Sequence, residues 1–192
     1  MLFNMKKRAV FLIDSGYLSF ITKFLGGGKH LKFKIEDFVK NISNKSGCEC
    51  DLVYFYTAPP YQNPIPTKEE NERKANYDKF ISKLKQIKHP QLIIREGRCQ
   101  KIKNDYCQKG VDTLITMDLV KFSIDNSIDK ILFMTADTDF APIMKEVAKD
   151  KELVLIYFTD KRRKSAFTLS NRLWNICSKK IKIDIQDFRY LI

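Results

Sequence analysis

Short apolar runs separated by segments of helical period constrain the fold of this chain more than any other feature. None of the runs alternates cleanly with polar residues, as a strand with one solvated face would. Continuous apolar runs are typical of strands that are covered on both faces of a parallel sheet. The predicted strands are Arg8–Ile13, Asp51–Thr57, Gln91–Arg95, Lys130–Thr135 and Glu152–Phe158.

Helical segments are predicted between these strands, because apolar residues there recur at a spacing of three and four. One helix begins with a capping box formed by Thr67 and Glu70, and Pro142 lies in the first turn of another, where proline is tolerated. The apolar stripes are Ile35–Ile42, Tyr77–Leu84, Val111–Phe122 and Phe140–Ala148. Alternating strands and helices form βαβ units with right-handed crossovers. We therefore predict an α/β fold in which a parallel sheet of Rossmann-like type carries helices on both faces.

The 192 residues fit a single domain, which we expect to span residues 1–192. Lys and Arg number 35 against 23 Asp and Glu, giving a formal net charge of +12. Such a balance favours a polyanionic partner, nucleic acid above all, although lysine can also serve as a general solubilising residue. We expect RNA more than DNA as that partner. No segment approaches the roughly 20 apolar residues that a membrane span needs. We expect a cytoplasmic protein without a membrane partner, and the oligomeric state is left open.

Five cysteines are present, and their odd number argues against a disulfide framework. Cys48 with Cys50, or Cys99 with Cys107, could in principle bind zinc, but neither pair has the usual ligand spacing. Ordinary reduced thiols are the favoured interpretation, with zinc as the alternative.

Aspartates follow two of the predicted strands directly. In open parallel sheets, ligands bind beyond the carboxyl ends of the strands. Asp14 follows the first strand, Asp137 and Asp139 follow the fourth, and Asp112 lies where a helix begins. Carboxylates that converge repel one another unless a cation lies between them, and hard oxygen ligands suit Mg²⁺ or Mn²⁺. Each aspartate alone could merely cap a helix; the four together favour a metal site that cleaves phosphodiesters.

Asp118 falls inside the apolar stripe of the helix that starts near Val111. A carboxylate on a buried helix face is costly unless it is paired. It either orients a basic or ligand group or lies at a partly solvated edge of the stripe.

Basic residues could supply phosphate contacts at the same edge of the sheet, because such groups position a backbone without reading bases. These candidates are Arg73, Lys109, Lys161, Arg162, Arg163 and Lys164. Tyr17 and Tyr61 could stack on single-stranded bases, although packing is the more ordinary role of a tyrosine.

Three segments carry a resemblance to a known family. I-D-S-G-Y-L at 13–18, K-G-V-D-T-L-I-T-M-D at 109–118 and T-A-D-T-D-F-A-P-I at 135–143 resemble the signature motifs of the NYN domain family, including its LabA-like members. The loop Y-T-A-P-P-Y at 56–61 is similar too, and the resemblance extends from about Lys7 to Asp184. Two departures are present: Ser15-Gly16 replaces Gly-Asn, and Thr135-Ala136 replaces Ser-Gly.

The resemblance implies a PIN-like nuclease. It implies that a divalent cation, Mg²⁺ or Mn²⁺, is bound by Asp14, Asp112, Asp137 and Asp139, and that Asp118 is the second aspartate of the K-G-V-D motif. These five are the candidate catalytic residues of a metal-dependent endoribonuclease whose cut leaves a 5′-phosphate. Two other functions stay open: a non-catalytic RNA-binding or regulatory module, and a phosphohydrolase of small nucleotides.

Overall fold

The computed structural model describes residues 7–103, 105–159 and 171–189. The strands in this part of the chain are β1 (Lys7–Asp14), β2 (Cys48–Thr57), β3 (Gln91–Glu96), β4 (Arg98–Ile102), β5 (Asp105–Lys109), β6 (Lys130–Met134), β7 (Glu152–Tyr157) and β8 (Lys179–Lys182). Six of them form one sheet in the order β3-β2-β1-β6-β7-β8. All neighbours in this sheet are parallel. The predicted parallel sheet is therefore confirmed.

The central strands are apolar because both faces of the sheet are covered. All five residues of β6 are buried, as are Ala9 through Ile13 of β1. The five predicted strands match the observed ones with ends that differ by at most a few residues, which is the usual uncertainty of a strand terminus. Strand β8 was not predicted, because Ile181 is its one buried residue and its lysines are typical of a sheet edge.

Helices cover both faces of the sheet, as predicted. They are α1 (Ser15–Leu25), α2 (Ile35–Ser46), α3 (Lys68–Lys85), α4 (Val111–Ile124), α5 (Ala141–Asp150) and α6 (Asn171–Trp174). Helices α1, α2 and α3 pack in one core cluster, and α4, α5 and α6 pack in the other. None of the described helices is long and apolar enough to cross a membrane.

The amino edge of the sheet is held by ion pairs and hydrogen bonds. Lys130, which is 4% exposed, lies 3.0 Å from a carboxylate oxygen of Glu152 and donates to the carbonyl of Ser46 at 2.9 Å. Lys179 donates to the same carbonyl at 2.9 Å, and Lys7 donates to Glu152 at 2.8 Å. The first residues of four strands are thereby tied to one another and to the end of α2.

Strands β4 and β5 form a separate antiparallel hairpin between β3 and α4. Its residue pairs run from Arg98 opposite Lys109 to Ile102 opposite Asp105. This hairpin was not predicted, because its mostly polar strands bury no residue. It projects from the carboxyl end of β3.

The direction of the connections changes between β1 and β6, which are neighbours in the sheet. The chain leaves β1 towards β2 on one side and leaves β6 towards β7 on the other. In open parallel sheets such a switch point opens a crevice at the carboxyl ends of the strands, where ligands bind.

Candidate active site

Asp14, the last residue of β1, lies at this switch point and caps helix α1. Its Oδ1 accepts hydrogen bonds from the backbone N–H of Gly16 at 2.9 Å and of Tyr17 at 3.4 Å. A Cβ at Gly16 would lie 3.2 Å from that oxygen, so the glycine leaves room for a close cap. Within the described chain, Oδ2 accepts no hydrogen bond and is free for a ligand.

Asp137 and Asp139 follow β6, the neighbour of β1. Asp137 Oδ1 accepts from the N–H of Asp139 at 2.8 Å and starts a 3₁₀ turn, Thr138–Phe140. The hydroxyl of Thr135, which is fully buried, accepts from the N–H of Asp137 at 3.1 Å. Threonine therefore supplies the same hydroxyl that serine has in the family motif.

Asp112 reaches the site from a third element, in the first turn of α4. Gly110 precedes this helix with φ 82, a left-handed conformation that glycine adopts without steric cost. The turn directs the chain from the hairpin into α4, and Asp112 is exposed there.

The carboxylates at this edge repel one another. Burial raises the pKa of Asp14, the N–H groups of Tyr17 and Gly16 offset part of the rise, and the charges of Asp112 and Asp137 add to it. Burial also raises the pKa of Asp112, and so do the charges of Asp137 and Asp139. No ion pair between the described residues involves any of the four, so within this part of the chain their negative charge has no paired cation.

No three His, Cys, Asp or Glu side chains within residues 7–103, 105–159 and 171–189 are arranged to hold a metal ion as they stand. The donor set nevertheless fits a hard divalent cation by its chemistry: it consists of carboxylate oxygens that repel one another, and no described lysine or arginine forms an ion pair with them. Ligation by three or more of them requires side-chain rotation towards one point.

Asp118 is 4% exposed and fully hydrogen-bonded. Its Oδ2 accepts from Arg95 Nε at 3.0 Å and from the hydroxyl of Tyr56 at 3.0 Å, while Oδ1 accepts from Arg95 Nη2 at 3.4 Å. Tyr56 stands beside Asp14 in the β1–β2 register and beside Arg95 in the β2–β3 register. Asp118 therefore orients the guanidinium of Arg95, which lies in the same row of strand-register partners as Tyr56 and Asp14.

Arg95 is the residue that sequence reasoning missed. Its side chain is 32% exposed, and it shares the partial burial of the apolar residues that precede it in β3. The signal was present in the sequence: an arginine closes an otherwise apolar strand, and a buried carboxylate elsewhere needs a partner.

The predicted phosphate-binding residues fall in different places. Lys109 is exposed at the end of β5, directly opposite Arg98, and Arg73 is exposed on α3. The run from Lys161 to Lys164 lies outside the described residues.

The two tyrosines singled out for stacking differ. Tyr17 is buried, and its hydroxyl accepts from the N–H of Phe158 at 2.8 Å, so it packs α1 against the end of β7. Tyr61 is half-buried, with its ring centroid 5.7 Å from that of Tyr106.

Three of the five cysteines are buried. Burial raises the pKa of Cys50 and of Cys177 to about 12, and it also raises the pKa of Cys48. Cys99 and Cys107 are half-buried, but their partners across the hairpin are Gln108 and Gln100. The two thiols therefore point to opposite faces of the hairpin, which does not suit a shared zinc ion.

Comparisons with known proteins identify the family and a similar fold. The family model of the NYN domain matches residues 8–184. Among solved structures, the chain is similar to a protein of unknown function, VPA0982, from Vibrio parahaemolyticus RIMD 2210633. The two share 15% identity with a TM-score of 0.63, over 98% of this chain and 99% of that one, a similarity of fold alone. None of the curated proteins matches the chain.

Proposed function

The chain belongs to the NYN domain family, part of the PIN-like nuclease superfamily, and from that premise we propose that it is a divalent-metal-dependent nuclease acting on RNA. The observation that carries the proposal is the meeting of uncompensated carboxylates from three elements at the switch point between β1 and β6. The proposal includes a cytoplasmic location, where RNA is an abundant polyanion.

Asp14, Asp112, Asp137 and Asp139 would hold Mg²⁺ or Mn²⁺. Such a cation, when bound, polarises the phosphodiester and lowers the pKa of the attacking water. The chain fixes the positions of two of these ligands through backbone contacts, because Asp14 caps α1 and Asp137 caps the turn after β6. In each cap one carboxylate oxygen is engaged, and the other is left for the cation.

Arg95 would contact a phosphate of the bound RNA. Asp118 holds Nε and Nη2 of its guanidinium, so the remaining N–H groups are directed by a buried carboxylate. Asp118 is thereby a positioning residue, one step removed from the reacting atoms.

Arg98 and Lys109 would bind a second phosphate close to Asp112. They stand opposite each other on adjacent antiparallel strands, where like charges are destabilising. Neither residue takes part in an ion pair within the part of the chain described above. A phosphate between them would relieve the repulsion, and the proposal extends this role to Arg73 and to Lys161, Arg162, Arg163 and Lys164.

The decisive experiment is cleavage of an end-labelled RNA with Mg²⁺, with Mn²⁺ and with EDTA, comparing wild type with Asp112→Asn. The nuclease predicts metal-dependent products in the wild type and their loss in the variant. Binding of RNA without cleavage under every metal condition would instead favour the regulatory module. Hydrolysis of mononucleotides, with no dependence on oligonucleotide length, would favour the phosphohydrolase.

A further inference from the structure

Two tyrosine rings meet on segments that follow the carboxyl ends of β2 and β3. Tyr61 lies in the loop after β2, and Tyr106 lies on β5 of the hairpin. Their centroids are 5.7 Å apart at an interplanar angle of 43°. Tyr106 is 53% exposed and Tyr61 is half-buried, so part of this aromatic surface is open to solvent.

The Tyr61 ring is held in place by a chain of hydrogen bonds. Its hydroxyl donates to Asn63 Oδ1 at 3.3 Å, and Asn63 Nδ2 donates to Glu70 Oε1 at 2.6 Å. Glu70 is 3% exposed and also accepts from the N–H of Thr67 at 2.9 Å. Four prolines within residues 57–66 stiffen the same loop further. An exposed ring that is already immobilised loses little entropy when it binds a partner.

Basic residues lie on the same hairpin as the Tyr106 ring. Lys101 is the register partner of Tyr106, and residues directly opposite each other in a hairpin share one face. Between Arg98 and Lys109 the hairpin has four basic residues and one acidic residue, Asp105. A flat ring beside an ammonium group is the combination that binds a base together with its phosphate.

The hairpin is fixed relative to the aspartates at both of its ends. Gly97 connects it to β3, and a Cβ there would lie 2.6 Å from the carbonyl oxygen of Lys109 and 2.7 Å from Val111 Cγ2. The other end passes through Gly110 into the turn that carries Asp112. Strands β3 and β1 are two positions apart in the sheet, or about 10 Å. The hairpin that carries Tyr106 therefore starts from a strand about 10 Å from the one that carries Asp14.

We propose that Tyr61, Tyr106 and Lys101 form a stacking platform that selects single-stranded nucleic acid for the site. Bases in a duplex are stacked and paired with each other, so their faces are closed to an external ring, whereas an unpaired base presents its face. The proposal deepens the nuclease function and rests on it only for the claim that the selected strand is then cut.

The test is a binding measurement in EDTA, which separates binding from cleavage. A fluorescein-labelled single-stranded RNA and a duplex of the same sequence are titrated with wild type, Tyr106→Ala, Tyr106→Phe and Ile102→Ala. We expect Tyr106→Ala to weaken single-strand binding by about 5- to 100-fold, as loss of one stacked base does, and to leave duplex binding unchanged. Tyr106→Phe keeps the ring and should bind as wild type does. Ile102→Ala removes apolar surface from the opposite face of the hairpin and should have no effect.

A second pair of variants tests whether a loss of affinity comes from loss of the ring or from loss of hairpin structure. Tyr106→Leu retains apolar bulk without a π-face and should lose single-strand affinity at an unchanged melting temperature. Tyr61→Ala removes the other, half-buried ring and should also lose single-strand affinity, measured on folded protein. The platform is overturned if these variants bind the single strand as wild type does, or if single-strand and duplex affinities fall equally. If the wild type cleaves RNA and Tyr106→Ala keeps the same strand preference, the platform is refuted and the nuclease function stands. If binding depends on the rings but no cleavage occurs in Mg²⁺ or Mn²⁺, the nuclease function is refuted and the platform stands.

Discussion

Asp118, buried on helix α4, accepts a two-point hydrogen bond from Arg95 at the carboxyl end of strand β3, at 3.0 and 3.4 Å. The pair links the helix that carries Asp112 to the strand that leads into the hairpin. It therefore couples the two elements that flank the proposed site.

Removal of the Asp118 carboxylate should lower the free energy of unfolding. In Asp118→Ala, Arg95 and the buried hydroxyl of Tyr56 both lose their acceptor, and we expect a loss of about 2–3 kcal/mol, since the partly exposed Arg95 regains water. Urea unfolding measures it. Asp150→Ala, at the exposed end of α5, is the control and should change stability by less than about 0.5 kcal/mol. Equal stability of the two variants would show that the pair contributes nothing.

Asp137→Asn separates a metal-binding role from a capping role. The amide keeps an oxygen that can accept from the N–H of Asp139, so the turn after β6 should survive. Cleavage should fall by orders of magnitude, because metal activation supplies several kcal/mol. The melting temperature without metal should hold or rise, because charge repulsion on Asp14 and Asp112 is relieved. Loss of stability with unchanged activity per folded molecule would identify Asp137 as a cap alone.

Gly97→Ala tests the base of the hairpin. The added methyl meets backbone oxygen at 2.6 Å, a contact that side chains do not make without a backbone shift. We expect a stability loss of about 1–3 kcal/mol and a lower rate of RNA cleavage, because Asp112 follows directly. Gly47→Ala, which has no neighbouring atom within 4 Å and lies at the other edge, is the control: its left-handed φ of 66 should cost stability without affecting the activity of folded protein.

Thiol labelling distinguishes the buried from the accessible cysteines. With Cys48, Cys50 and Cys177 buried and their pKa values raised, a thiol reagent at pH 8 should modify only Cys99 and Cys107 in the native protein. Unfolding in denaturant should then expose all five. Protection of Cys99 and Cys107 that is released by a zinc chelator would contradict the opposite-face geometry.

Acid should weaken the amino edge of the sheet. Burial alone raises the pKa of Glu152, but hydrogen bonds and charges from Lys7 and Lys130 outweigh it and lower the pKa overall. A carboxyl group with a lowered folded-state pKa stabilises the fold above its unfolded pKa of about 4.3, and this contribution is lost as the pH falls through the folded value. Glu152→Gln should therefore be less stable than wild type at pH 7, and the difference should shrink towards pH 3. Urea titrations at both pH values measure this, and a difference that is independent of pH would refute the linkage.

Much of the fold could be predicted because burial on both faces leaves a continuous apolar signal in a strand. Strands β1, β2, β3, β6 and β7 carry that signal. Helices α2 to α5 carry a different one, apolar residues at a spacing of three and four. The hairpin has no such signal, since its mostly polar residues bury no side chain and its position depends on contacts of Gly97 with residues a dozen positions later. Arg95 was missed for a related reason: its partner, Asp118, is distant in sequence, and pairing across a sheet is invisible to local periodicity.

The two edges of the sheet have opposite electrostatic character. At the amino edge Lys130 forms an ion pair with Glu152, and Lys179 donates to the carbonyl of Ser46. At the carboxyl edge, no ion pair among the described residues involves Asp14, Asp112, Asp137 or Asp139. The contacts that tie the first residues of β1, β6, β7 and β8 together are thus located away from the crevice. A variant of this chain can therefore lose charge at Asp14, Asp112, Asp137 or Asp139 without losing the contacts that tie these four strands together.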